Sequence, residues 1–288
     1  MSILQNIALA ERRPSKLTAS TFESLRAFIY DETGIYFQDN KRYLLESRVS
    51  RRLKALEVNS FEDYFTKLTT RLRRTELGHL INAITINETF FFRHQAQYDV
   101  LVEHLIPSII EERGERCRLR FWSAASSTGE EAYSLALLFE EKVKPNFPNV
   151  RFDIIATDID TDAIQEARDG LYNAYATRNV PRTWLRKYFT EEDGGHRLSA
   201  DIRRRVRFKQ ANLANRLDMQ RMRNFDVIFC ANVLIYFDDD SKQQVVASLY
   251  NSLATGGYLF VGFSESLYGV TQAFHAVRID KTTAYQKV

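Results

Sequence analysis

Asp158 closes the apolar run RFDIIATDID, where a carboxylate can accept hydrogen bonds from both hydroxyls of a ribose. Asp160 follows two residues later and is expected to start the next helix. An earlier run, CRLRFWSAAS, leads into the small residues Ser123 to Gly129, which let a ligand approach the backbone closely. No G-x-G-x-x-G is present there, so the loop suits a nucleoside cofactor without phosphates, such as S-adenosylmethionine. Glu130 and Glu131 follow at a helix start, where the helix dipole favours carboxylates. One of the two is expected to be only a helix-start residue; the other can face a sulfonium or an ammonium. The pair Asn212-Leu213 offers an amide for the edge of an adenine ring and an apolar side chain for its face. The run FDVIFCANVLIYF contributes Asn232, a polar residue in an apolar strand that needs a partner, with Ile235 and Tyr236 beyond it. Finally, Asn87-Glu88-Thr89-Phe90-Phe91-Phe92-Arg93 fits neither a helical nor an alternating pattern. It reads as a loop packed into an apolar crevice that delivers one cation.

The elements that must position these residues fall into two halves. Before about residue 90 the chain reads as four helices: Thr18 to Thr33 with a capping pattern over Ser20–Glu23 and Gly34 as terminator, Lys41 to Leu56, one starting near Ser60, and Arg74 to Ala83. From Cys117 onward strands and helices alternate, which predicts a doubly wound, mostly parallel α/β sheet. The helix SKQQVVASLYNSLATGG is expected to close at Gly256-Gly257, before the strand YLFVGFSES. Residues 171–210 break the alternation and read as a small antiparallel insert that includes VRFKQ. The domain expectation is therefore an extension over 1–16, a helical domain over 17–85, a linker over 86–99 and an α/β domain over 100–288.

Composition excludes several classes. With 288 residues, 44% hydrophobic and 27% charged, the chain is a soluble globular type, and a net charge of +3 does not diagnose a partner. Cys117 and Cys230 form neither a disulfide framework nor a zinc spacing and are expected to be small buried hydrophobes in strands. No metal is expected. Residues 1–16 lack a signal peptide's basic flank and cleavage site, and no apolar run is long enough for a membrane span, so a cytoplasmic location is the default.

Four ordered segments, NETFFFR, SAASSTGEEAYSLA, ATDIDTDAI and FCANVLIYFD, strongly resemble the CheR-type chemotaxis receptor methyltransferases, and the likeness extends to TGIYFQDNKRYLLESRVSRRL in the helical half. The resemblance implies a Rossmann-like S-adenosylmethionine methyltransferase domain preceded by a small all-α domain. It implies methylation of glutamate side chains on the cytoplasmic helices of methyl-accepting chemotaxis proteins, as part of bacterial sensory adaptation. It implies cofactor contacts at Asn87, Thr89, Arg93, Glu130, Asp158, Asn212, Leu213, Ala231 and Asn232. Three departures stand out: Ala231 replaces the family's usual Arg, Ala125-Ser126 replaces Gly-Cys, and Ala132 replaces Pro.

On this reading Arg93 holds the incoming carboxylate and Tyr236 donates a hydrogen bond to it and shapes the cleft. No general base is required, because a glutamate is already ionised. Lys41, Arg48, Arg51 and Arg52 form a basic stripe for an acidic receptor helix. Arg203, Arg204, Arg205, Arg207 and Lys209 are placed on the antiparallel insert. A comparable insert in the family can take up a receptor tail by strand addition, although the stretch between Phe189 and Asn212 is shorter than in tail-binding members. A monomer recruited to receptor arrays is expected, with room for a regulatory protein and without nucleic acid or membrane insertion. The competing readings are a nucleic-acid methyltransferase, disfavoured by the lack of Asn-Pro-Pro-Tyr and Pro-Cys motifs, and a non-catalytic cofactor-binding scaffold.

Overall fold

The computed structural model describes residues 16–288. The expected extension over 1–16 therefore falls almost wholly outside the described residues. The chain divides into two compact units, Met1–Ile86 and Asn87–Val288.

The first unit is helical, with α1 (Ala19–Thr33), α2 (Arg42–Ala55), α3 (Phe61–Thr69) and α4 (Arg73–Ile84). The capping residue of α1 is Thr18, whose hydroxyl accepts from the Thr21 amide at 3.2 Å, and not Ser20. No capping box forms: Glu62 accepts the hydroxyls of Thr18 and Thr21, while Glu23 pairs with Arg26. Gly34 ends the helix at φ 74°, its amide bonded to the Tyr30 carbonyl. Leu25, Leu45, Val49, Tyr64 and Leu80 meet in the core of this unit.

The second unit opens with the Asn87–Arg93 segment and two helices, α5 (Gln95–Val100) and α6 (Ile106–Arg113), joined by a π-helical turn. It continues with β1 (Arg118–Ala124), α7 (Glu130–Leu138), β2 (Arg151–Asp158) and α8 (Thr161–Asp169). After these come β3 (Leu171–Tyr172), α9 (Ala174–Thr177), α10 (Arg182–Tyr188), β4 (Phe189–Glu192), β5 (Gly195–Leu198), α11 (Ala200–Arg203) and β6 (Val206–Gln210). The last part is α12 (Arg216–Gln220), β7 (Phe225–Cys230), α13 (Asp239–Ser252), β8 (Leu253–Val261), β9 (Phe274–Ile279) and β10 (Thr282–Lys287).

Among the described residues the main sheet runs β6-β2-β1-β7-β8-β10-β9. Strands β6 to β8 pair in parallel and the last two run antiparallel. The strand order reverses between β1 and β7, which places a ligand crevice beyond their carboxyl ends. Side chains alternate between two cores: Phe121 and Phe229 pack on one face, Trp122 and Ile228 on the other.

Four expectations about the second unit need correction. VRFKQ is not part of the antiparallel insert: it is β6, an edge strand parallel to β2, and the insert is the three-stranded sheet β3-β5-β4. Val206 and Phe208 point into the core, and the parallel partner sets their alternation. The arginines from 203 onward consequently lie on α11, on the sheet edge and between them. The run 225–237 is strand only to Cys230, because Asn232 turns the backbone to φ 62°. Helix α13 ends at Ser252, and Gly256-Gly257 lie inside β8 next to an irregularity in its pairing with β7. A Cβ on Gly257 would approach the carbonyl oxygens of Ala254 and Phe225 to 2.9 Å, so a bare backbone is needed there. Cys230 is buried in a strand as expected, whereas Cys117 is half-buried and precedes β1.

Candidate active site

Asp158 is the hub of one half of the site. Its buried carboxylate accepts the Ser127 amide at 2.7 Å and the Asp160 amide at 2.9 Å, and its carbonyl accepts the Ala211 amide at 2.9 Å. The loop after β1, the end of β2 and the end of β6 therefore converge on one acid. Burial pushes its proton affinity up, and the bonds from the Asp160 and Ser127 amides pull it down. The loop is conformationally loaded: Ala125 and Ser127 adopt φ 58° and 51°, a region costing about 1–3 kcal/mol for a residue with a side chain. The hydroxyls of Ser126 and Ser127 are buried and have no hydrogen-bond partner among the described residues.

Asp160 caps α8 through the Asp162 and Ala163 amides, and its second oxygen accepts the Asn87 side-chain amide at 2.7 Å. The Asn87–Arg93 segment is pinned at further points. The Phe91 amide bonds the Ala176 carbonyl at 3.0 Å, and the Phe92 amide bonds the Ser134 hydroxyl at 3.0 Å. Phe91 and Phe92 are buried, with Phe91 edge-on to Tyr172 and Phe189. Phe90 is half-buried beneath the Arg178 guanidinium. Arg93 is half-buried, donates to the Glu88 carbonyl at 2.6 Å and lies over the Phe90 ring. Thr89 is half-buried on the same segment.

The other half of the site gathers around Glu131. This carboxylate accepts the Ser123 hydroxyl at 2.6 Å. Burial raises its pKa to about 7, against the pull of Ser123 and of the nearby Arg93 charge, with Glu265 adding repulsion. Glu130 faces elsewhere: it is buried, accepts the Thr128 hydroxyl at 2.7 Å, and burial also raises it to about 7. Of the two helix-start acids, Glu131 is the one whose charge Arg93 stabilises, while Glu130, the acid that the resemblance assigns to the cofactor, bonds Thr128. The choice depends on which way α7 is rotated, and adjacent residues of one sequence do not reveal that.

Beyond β7, the Asn232 amide donates to the Glu265 carboxylate at 2.7 Å, and the Asn232 side-chain oxygen sits 2.9 Å from His94 Nε2. The sequence reading missed both His94 and Glu265. Ala231 is half-buried, and Tyr236 is half-buried in the 3-10 turn Leu234–Tyr236. Asn212 uses its side-chain oxygen on the Ala214 amide, and its own amide donates to Asp218. Leu213 is packed in the core, so its main chain, more than its side chain, is what it can offer an adenine.

The basic stripe on α2 is divided. Arg52 forms a two-pronged pair with the buried Glu76 at 2.8 and 2.9 Å, and Tyr64 also donates to Glu76. Arg48 donates to the Ile84 carbonyl at the end of α4. These two arginines hold the helical unit together, while Lys41 and Arg51 remain exposed.

A doubly wound sheet with a pyrophosphate-free first loop and a buried acid after its second strand defines a nucleoside-cofactor enzyme. Residues 20–85 match the CheR methyltransferase all-alpha domain and residues 87–283 match the CheR methyltransferase SAM binding domain. The chain belongs to the CheR methyltransferase family, and its cofactor is S-adenosylmethionine. It is 43% identical to chemotaxis protein methyltransferase 2 of Vibrio cholerae, over 94% of each chain. It is 32% identical to a chemotaxis protein methyltransferase of Borreliella burgdorferi, over 88% of this chain and 90% of that one. It is 31% identical to chemotaxis protein methyltransferase Cher2 of Pseudomonas putida, over 92% of this chain and 97% of that one.

Proposed function

We propose that this methyltransferase esterifies glutamate side chains on the cytoplasmic helices of chemoreceptors. The supporting observation is the placement of Arg93. It sits on a segment fixed to Asp160 through Asn87 and followed directly by His94, which meets Asn232. A guanidinium held there suits a carboxylate acceptor better than a neutral amine or hydroxyl.

The residues present fit the cofactor. Asp158 takes the ribose hydroxyls, the unpartnered Ser126 and Ser127 hydroxyls line the loop beside it, and Asn212 and Leu213 border the adenine. Glu131 serves the positively charged methionine end. Bound S-adenosylmethionine supplies an electrophilic methyl group on a sulfonium.

Arg93 would hold and orient the glutamate carboxylate for attack on the methyl group that the cofactor would supply, and exclusion of water would leave that nucleophile desolvated. Tyr236 donates to the other oxygen and shapes the cleft. No base is needed, since no proton leaves the acceptor. The ester product carries no charge and binds Arg93 less well, which favours its release.

Lys41 and Arg51 supply the exposed cations for an acidic receptor helix, and the site of action is the cytoplasmic face of receptor arrays. No helix among the described residues is long and apolar enough to cross a membrane. Incubation with labelled cofactor and a panel of receptor cytoplasmic domains, followed by mass-spectrometric mapping, tests the reading. Methyl esters on helical glutamates are expected. Label in RNA or on lysine amines would overturn it.

A further inference from the structure

We propose that His94 and Glu265 are positioning residues that clamp Asn232 from two sides and so hold the Arg93 segment and the Tyr236 turn in fixed relation. The inference rests on the reading of the site given above.

Asn232 is held in a left-handed conformation at φ 62°, a shape that a free loop would occupy only part of the time. Two contacts secure it. The Glu265 carboxylate accepts the amides of Asn232 and Gly262, each at 2.7 Å on one oxygen, and the Ile235 amide at 3.3 Å on the other. One acid thereby ties the end of β8 to both ends of the turn that carries Ala231 and leads to Tyr236. From the opposite direction, His94 Nε2 lies 2.9 Å from Asn232 Oδ1. With that oxygen as acceptor, the imidazole carries its proton on Nε2.

His94 is the residue after Arg93, so a displacement of Asn232 that shifts the His94 ring also shifts the backbone from which the Arg93 side chain extends. The space for this arrangement is closely fitted. A Cβ on Gly262 would come within 2.7 Å of the Glu265 carboxylate and 2.8 Å of the Asn232 amide. The side chain at position 231, an alanine here, takes no part in the clamp, which acts through the backbone and side chain of Asn232.

The clamp is tested by comparing His94→Ala, His94→Gln and Gly262→Ala with the wild-type chain in cofactor titrations and in steady-state methylation of a receptor cytoplasmic domain. Small displacements at a reacting centre cost on the order of 10- to 100-fold in rate. His94→Ala is expected to lower kcat by that factor and to weaken cofactor binding, while circular dichroism stays native. His94→Gln restores a side-chain N–H near the same place and is expected to recover most of both losses. Gly262→Ala, which displaces Asn232 with His94 intact, is expected to reproduce the His94→Ala signature.

Unchanged kcat and cofactor affinity in His94→Ala would overturn the clamp, and so would a His94→Gln variant as impaired as the alanine. If His94→Ala does not fold, the Gly262→Ala and His94→Gln results decide. The cofactor titration needs no methyl acceptor, so a clamp that fails there is distinguished from a wrong assignment of the acceptor.

Discussion

Asn87 and Asp160, separated by 73 positions in the chain, meet through a 2.7 Å hydrogen bond from the asparagine amide to a carboxylate oxygen. The other oxygen of Asp160 caps α8, and its amide is bound by Asp158. The bond fastens the start of the Asn87–Arg93 segment to the residue whose backbone amide Asp158 binds. Asn87→Ala is expected to destabilise the chain by about 1–3 kcal/mol, because a buried charged acceptor loses a donor. Urea unfolding of the cofactor-free protein checks the stability, and calorimetric titration should show weaker cofactor binding in the same variant.

Arg93 is expected to matter to chemistry more than to folding, since it is half-buried and its guanidinium donates to a backbone carbonyl. Arg93→Ala should lower turnover on the order of 100- to 1,000-fold with native circular dichroism, as for removal of a charge-stabilising donor. Arg93→Lys should recover only part, because an ammonium cannot present a fork to the carboxylate. Single-turnover methylation at saturating cofactor measures this directly, and near-normal rates in Arg93→Ala would remove the residue from the mechanism.

Glu130 and Glu131 are expected to separate under substitution. Glu131→Gln should weaken cofactor binding, whereas Glu130→Gln should leave it nearly unchanged, and isothermal titration distinguishes the two. Equal losses would show that both acids face the cofactor.

The same acids set a pH dependence of stability. Burial raises both from 4.5 to about 7 in the folded chain. Between those values the native state binds more protons than the unfolded state, so each acid makes stability fall as pH rises through the window. The slope is at most about 1.4 kcal/mol per pH unit for each group. Glu130→Gln should remove one contribution, flattening the fall between pH 4.5 and 7 and leaving the variant relatively more stable at pH 8. Urea midpoints of cofactor-free protein across that range provide the test.

The helical unit separates fold from capture. Arg52→Ala leaves Glu76, which is 2% exposed, without its guanidinium partner. The cost is expected to be about 2–3 kcal/mol, below that of a fully buried pair because Arg52 retains some solvent. Arg51→Glu should leave the melting temperature within a degree or two, while raising the KM for receptor domains and reducing the salt dependence of their capture. A stable Arg52→Ala variant with impaired capture would reverse these roles.

The sequence by itself determined the two-part organisation, the alternating sheet, the acid at Asp158 and the segment Asn87–Arg93. Each of these is a local signal. Strand–helix alternation, a carboxylate closing an apolar run and three phenylalanines beside a cation are legible within a dozen residues. Four features depended on tertiary structure. VRFKQ proved to be an edge strand of the main sheet, because a five-residue alternation does not state its partner. Glu131 came to bond Ser123 on β1 and Glu130 to bond Thr128, because the rotation of α7 is set by its packing against the sheet. Arg48 and Arg52 were tied, half-buried, to the Ile84 carbonyl and to Glu76, while Lys41 and Arg51 stayed exposed, because α2 lies against α4. His94 and Glu265 carried no local signal: their roles lie in bonds to Asn232 spanning 138 and 33 positions, and only folding brings those atoms together.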